Sequence, residues 1–291
     1  TYFKNFYKKS LNDSFKRKQK AILFGSPKDP STSYQFAKIL ESHDIKFNKL
    51  KNNIKREGKQ YFKESSYIIP LNQKKNKLIR AMFSVQKKFK DSLFYDVSAW
   101  TFPYAFNLNY NYETTTSLIG DEITLLKPLQ GYVNMKGYAY LFEPHNYYAP
   151  KLINYLHENN IRVKVGLTPF TLDGIKYDYG TYMIPSKNQD LDEENLYNIL
   201  KEGALKTSIN ITGVSTGNTK GIDLGSRDFK TVKKVKIALL VGNGIRSYDA
   251  GEIWHLLDTR HEISISKIDI KDLPLIDIKK YTHLIMPSYE G

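Results

Sequence analysis

The chain contains no cysteine. That absence removes disulfides, thiolate metal sites and every cysteine nucleophile. It leaves the compartment open, because many periplasmic proteins also lack cysteine. Arginine is scarce: only 7 of the 44 basic residues are arginines. The net charge of +14 would otherwise invite nucleic-acid binding. Specific phosphate and base recognition favours the bidentate arginine fork, however. The lysines are spread along the chain, with small clusters such as "KRKQK" (16–20) and "KKVK" (233–236). Together with abundant Ile, Asn and Tyr they read as codon bias and a solvated lysine surface, so no nucleic-acid partner is expected. Long apolar runs are also missing. None approaches the ~18 consecutive apolar residues that suggest a bilayer span. Thr1 opens the chain without a charged n-region, an apolar h-region or a cleavage site. The expectation is a piece of a longer protein whose targeting signal lies elsewhere.

What is present is enough apolar sequence, 41% of 291 residues, for two or three domains with their own cores. Residues 1–19 show Tyr2, Phe3, Phe6, Tyr7, Leu11 and Phe15 at helical spacing, which predicts a leading helix packed by its aromatic face. A pattern then recurs. "AILFGS" (21–26), "SYQFAKILESHDI" (33–45) and "SSYIIP" (65–70) read as strand, helix and strand. "YAYLFEP" (138–144), "APKLINYLHENNI" (149–161), "RVKV" (162–165) and "YGTYMIP" (179–185) repeat the order. "KIALLVGNG" (236–244), "DAGEIWHLLDTR" (249–260), "EISISKID" (262–269) and "YTHLIMP" (281–287) form a third copy. The first two copies continue alike, as "IPLNQ" (69–73) and "IPSKNQ" (184–189). Such self-similarity must be weighed before any fold is assigned.

Apolar strands without alternation suggest burial on both faces, as in parallel sheets covered by helices. With right-handed crossovers, the expected fold is α/β: three βαβ-type modules with mainly parallel sheets, flavodoxin-like or class I glutamine amidotransferase-like. The third would be truncated at Gly291, just after a strand. Turn-rich stretches at 107–122 and 214–234 mark boundaries. The expected divisions are a leading helix (1–19), a first module (20–122), a second (123–232) and the truncated third (233–291).

None of the six histidines begins an HxxE or HExxH helical zinc motif. His255 with Asp258 could share a helix face, which is more often a solvated or capping arrangement, and no metal ligand is assigned. "GNGIRSYDAGE" (242–252) follows a strand and precedes a helix. It carries Ser247 where a dinucleotide fingerprint has Gly, with Asp269 as a candidate ribose acid. Glycine after a strand mostly serves the turn. No GxSxG elbow is present, and no catalytic residue is assigned. "EPHNYYAP" (143–150) and "FYDVSAWTFPYAF" (94–106) are rich in aromatics near strand ends. A peptide or glycan platform of Tyr147, Tyr148, Trp100 and Tyr104 competes with plain packing of amphipathic rings. The candidate ligand-binding residues are Asn146, Tyr147, Tyr148, Asn243, Tyr248 and Glu252.

Six segments in order carry a resemblance: "SPKDPSTSYQFAKIL", "YIIPLNQKKNKLIRAMF", "DSLFYDVSAWTFPYAF", "YDYGTYMIPSKNQ", "STGNTKGIDLGS" and "NGIRSYDAGEIWHLLDTR". Over nearly its whole length the chain resembles the C-terminal, amidotransferase-like region of large bacterial zinc carboxypeptidases of the carboxypeptidase A-like class. The resemblance implies a preceding metallopeptidase domain as partner in the same chain, with zinc held there. It also implies a secreted or periplasmic parent that removes C-terminal residues from peptides. The family's zinc ligands and catalytic glutamate match no position here, so these residues would be a non-catalytic accessory region without a cofactor of their own. Under this reading Phe94, Trp100, Phe102 and Phe106 form a structural seam, and Pro103 keeps the segment from becoming a regular helix. Two alternatives stand beside it: an amidotransferase-like hydrolase whose site is completed beyond Gly291, and a peptide- or glycan-binding module.

Overall fold

The computed structural model describes residues 1–85 and 101–290. The chain divides into two compact units, Thr1–Leu129 and Gln130–Gly291.

The first unit runs α1 (Tyr2–Lys16), β1 (Ala21–Gly25), α2 (Pro30–Ser42), β2 (Asn48–Leu50), β3 (Ile54–Arg56), β4 (Lys59–Tyr61) and β5 (Ser66–Pro70). It continues with α3 (Asn76–Phe83), α4 (Phe102–Ala105), β6 (Asn109–Glu113) and β7 (Ile119–Glu122). The sheet order is β6-β1-β5-β2-β7, and every neighbouring pair is antiparallel. β1 and β2 therefore run parallel to each other with β5 inserted between them. β5 and β6 likewise flank β1, with α3 in the connection. Two interleaved split βαβ units make a ferredoxin-like βαββαβ arrangement, extended by β7 at the β2 edge.

The second unit begins with the same architecture. β8 (Ala139–Phe142), α5 (Ala149–Glu158), β9 (Lys164–Gly166), β10 (Phe170–Leu172), β11 (Ile175–Tyr177) and β12 (Tyr182–Pro185) come first. α6 (Glu193–Thr207), β13 (Thr212–Val214) and β14 (Phe229–Thr231) complete it. The order β13-β8-β12-β9-β14 is again antiparallel throughout, and it matches the first sheet strand for strand.

The shared motif "IP…NQ" has a physical cause. Gln73 Nε2 donates to the carbonyls of Pro70 (2.6 Å) and Lys46 (3.0 Å), while its Oε1 accepts from Lys46 N (3.0 Å). Gln189 Nε2 donates to Pro185 O (2.9 Å) and Arg162 O (3.1 Å), and its Oε1 accepts from Arg162 N (2.8 Å). Each glutamine acts as a short stretch of strand. It ties the chain leaving the helix to the end of the central strand and satisfies backbone groups that would otherwise lack partners. Tyr67 stacks on Phe24 (5.5 Å) across one ladder, and Tyr182 stacks on Phe142 (5.0 Å) across the other. Each hairpin turns on two left-handed residues, Glu57-Gly58 and Asp173-Gly174, the type I′ geometry suited to twisted strands.

Three expectations about the fold are corrected. The sheets of the first two modules are antiparallel, not parallel. Their central strands are buried on both faces because helices cover one side and the β3–β4 or β10–β11 hairpin covers the other. Leu23, Leu50 and Tyr61 pack with Ile54 beneath the first hairpin, and Leu141, Phe170, Leu172, Tyr177 and Met183 pack beneath the second. Two-sided burial reports coverage, not strand direction. The third segment is not a further copy. β15 (Ile237–Val241), β16 (Ile265–Asp269) and β17 (His283–Ile285) form a parallel sheet in the order β16-β15-β17. Between β15 and β16 lies α7 (Ser247–Trp254), which widens into a π-helical turn at His255–Arg260. Short 3-10 turns at Ile270–Leu275 and Ile278–Lys280 return the chain without the reversing hairpin, so β17 enters parallel. Among the described residues this is the one parallel sheet. α1 is also turned from its expected orientation. Ser10 and Ser14 are its buried residues, whereas Tyr2, Phe3 and Phe15 are exposed.

No helix among the described residues is long and apolar enough to cross a membrane. Phe102 and Phe106 pack on Phe36 (6.0 and 5.4 Å) in the first unit's core, and Pro103 sits in the first turn of α4. Phe94 and Trp100 lie outside the described residues.

Candidate functional site

The second module carries a polar cluster at the C-terminal end of β8. Glu143 continues directly from the buried strand, and Pro144 and His145 follow in the loop toward α5. Asp178 follows β11 and begins the turn that enters β12. The turn is held by Thr181, whose N–H and hydroxyl both donate to Asp178 O (3.2 and 2.7 Å). Gly180 adopts φ +87°, and a Cβ there would lie 3.1 Å from Pro144 Cγ. Any other residue would be strained in this conformation and would crowd the loop. Asp178 N–H donates to Glu143 Oε1 at 3.3 Å, and His145 Nε2 lies 3.4 Å from Asp178 Oδ2. One ligand atom from each of Glu143, His145 and Asp178 lies within 4.8 Å of the others. Among the described residues no other group of three such side chains converges so closely. The His145 and Asp178 side chains are 33% and 42% exposed, so a solute can reach them.

Asn146, Tyr147 and Tyr148 adjoin this cluster. Asn146 forms an Asx turn, its Oδ1 accepting from Tyr148 N (2.9 Å) while its carbonyl accepts from Ala149 N (2.9 Å). That turn starts α5, which has no side-chain cap. Tyr147 packs edge-on against Tyr148 (5.0 Å) and lies 5.2 Å from the His261 ring. Lys151 pairs with Glu262 (2.6 Å), and Asn154 Nδ2 donates to Glu262 O (2.6 Å). Tyr147, Lys151 and Asn154 thus tie α5 and the loop before it to the segment that enters β16. Burial pushes the His261 imidazole below its ordinary range, and the nearby Lys151 charge adds to this.

Asn243, Tyr248 and Glu252 lie in the third segment, exposed on the loop after β15 and on α7. The glycine loop there is filled by protein. A Cβ on Gly242 would meet the Asp269 carboxylate, and one on Gly244 would meet the Tyr289 ring. Arg246 N–H donates to Ser288 O (2.8 Å), and Glu290 N–H donates to Gly244 O (2.7 Å). Asp269, the candidate ribose acid, instead accepts from Lys271 N (3.1 Å). Tyr104 belongs to the first unit, 63% exposed and 6.0 Å from Tyr110. Trp100 lies outside the described residues.

Sequence reading missed Glu143, His145 and Asp178 because it looked for ligands within one helix. Glu143 and His145 lie two apart across a proline, and the hairpin brings up Asp178 from 35 residues beyond Glu143. The available signal was a difference between repeats. After Phe24 the first copy reads Gly25-Ser26-Pro27, and Phe62 follows its hairpin where Asp178 follows the other.

Comparison with known proteins adds no neighbour: no family model, curated protein or solved structure matches the chain.

Proposed function

We propose that this chain is a non-catalytic accessory region of a zinc metallocarboxypeptidase-like protein that acts in proteolysis. Its partner is a preceding metallopeptidase domain in a secreted or periplasmic parent that takes C-terminal residues from peptides. The observation that carries the accessory role is what the duplication keeps. The features common to both copies are architectural: the strand order, the glutamine clamp, the Phe–Tyr stack and the hairpin turn. The link to carboxypeptidases rests on the six resembling segments. Zinc for catalysis belongs to the parent's peptidase domain. A second reading, a peptide- or glycan-binding module, is favoured by the solvent-accessible cluster beside Asn146 and Tyr147.

The source gene and a peptide assay test the proposal. The gene is expected to encode an HxxE pair and a later His upstream of Thr1. The purified chain is expected to leave peptides with free C-termini intact, with or without added zinc. A start codon close to Thr1 would overturn the first part. Chelator-sensitive release of C-terminal residues by the chain alone would overturn the second.

A further inference from the structure

The polar cluster of the second module supports a statement independent of the accessory role. We propose that Glu143, His145 and Asp178 form a binding site for a divalent transition-metal ion, Zn²⁺ by preference, with a coordination position left for water or a ligand group.

Three observations lead there. The first is donor chemistry. Calcium and magnesium favour all-oxygen ligand sets, whereas an imidazole beside carboxylates suits zinc and its neighbours. Three protein ligands leave the fourth tetrahedral position open.

The second is spacing. Two ligands held about 2.0–2.1 Å from a tetrahedral zinc lie about 3.3–3.4 Å apart. His145 Nε2 and Asp178 Oδ2 are 3.4 Å apart. The remaining separations, within 4.8 Å, can close by rotation of the flexible Glu143 side chain. The Asp178 backbone is already fixed through Thr181, the kind of support that orients a ligand before the ion arrives.

The third is the internal control. The first module builds the same sheet, stack, clamp and hairpin with Gly25 in place of Glu143 and Phe62 in place of Asp178. The architecture does not need the triad. Asp29 in the first module's loop serves its helix instead, accepting from Thr32 N (3.0 Å).

Calorimetric titration of the whole chain with ZnCl₂, and separately with CaCl₂, tests the proposal. The expected result is one Zn²⁺ equivalent that Ca²⁺ does not reproduce. Its affinity should fall roughly ten-fold or more in each of Glu143→Gln, His145→Ala and Asp178→Asn. Asp178→Asn keeps the side-chain shape, so it decides the matter if His145→Ala fails to fold by circular dichroism. A visible Co²⁺ absorption band of tetrahedral type in the unsubstituted chain, lost in Asp178→Asn, gives a second readout. The proposal is overturned by no Zn²⁺ equivalent above background, by Ca²⁺ binding equally well, or by Zn²⁺ affinity unchanged in His145→Ala or Asp178→Asn.

Discussion

The two ferredoxin-like modules share a strand order but not a core. The first is aromatic: Phe24, Phe36, Phe47, Tyr67 and Phe83 are buried, with Phe102 and Phe106 closing over Phe36. The second is richer in aliphatic residues: Leu152, Leu156, Ile161, Val163, Leu196 and Leu200 fill the equivalent space between sheet and helices, with Tyr140 and Phe142 as its buried aromatics. Cores tolerate such exchange when pattern and total volume are kept. What is retained is a glutamine clamp, one stacked Phe–Tyr pair on the central strands and a type I′ turn at matching places. The copies part company at the loop after the first strand. There one module offers glycine and proline, and the other offers Glu143 and His145, which Asp178 joins from beyond the hairpin.

The largest test of this parallel removes the clamps. Gln73→Ala and Gln189→Ala each delete three hydrogen bonds. At a net ~0.5–1.5 kcal/mol per bond, each should destabilise its own unit by about 2 kcal/mol. Chemical denaturation, followed by probes in each unit, checks this. Equal losses support a common architectural role. A loss in one copy alone would break the equivalence.

Acid should separate the two units. Burial holds the His157 and His261 imidazoles below their ordinary range, aided by Lys234 and Lys151 respectively. Each leaves a ring nitrogen buried without a partner, Nε2 of His157 and Nδ1 of His261. The unfolded chain takes up protons near the reference value of 6.5, whereas the folded form resists until lower pH. Their contribution is therefore complete above that value and is lost as pH falls below it toward the depressed folded values. Both residues lie in Gln130–Gly291. The second unit's melting temperature should drop relative to the first between about pH 7 and pH 5.5. Substituting both histidines by glutamine should flatten that difference. A slope unchanged by the double substitution would contradict the assignment.

Much of this architecture was legible in sequence, and the part that was not has a physical reason. Strands β1, β5, β8, β12, β15 and β17 fall within the apolar segments read as strands, and α2, α5 and α7 overlap the amphipathic segments read as helices. The tandem relation of the first two copies was visible in "IPLNQ" and "IPSKNQ". Strand direction was not, because Ile22 and Ile69 are equally apolar whether their strands run together or opposed. The short hairpins at 54–61 and 170–177 set the direction; the second did carry a signal, Asp173-Gly174 between the alternating Phe170, Leu172, Ile175 and Tyr177, whereas the first has fewer apolar residues to announce it. The recurring order of strand, helix and strand made the third segment look like a copy, although it lacks a hairpin and pairs in parallel. Of the candidate site residues, Asn146, Tyr147 and Tyr148 adjoin the cluster but mainly shape and brace its loop. Glu143, His145 and Asp178 stayed hidden because their convergence depends on the hairpin.

The triad is an addition to the second module and not part of what holds it together. Thermal melting of Glu143→Gln/His145→Ala/Asp178→Asn in metal-free buffer tests this most directly. The triad's partly exposed His145–Asp178 contact is worth ~0–1 kcal/mol at such a site. The second unit's melting temperature should therefore fall by no more than about 2–4 °C. A fall of about 10 °C or more would show that the three side chains support the fold, and the contrast drawn with the first module would fail.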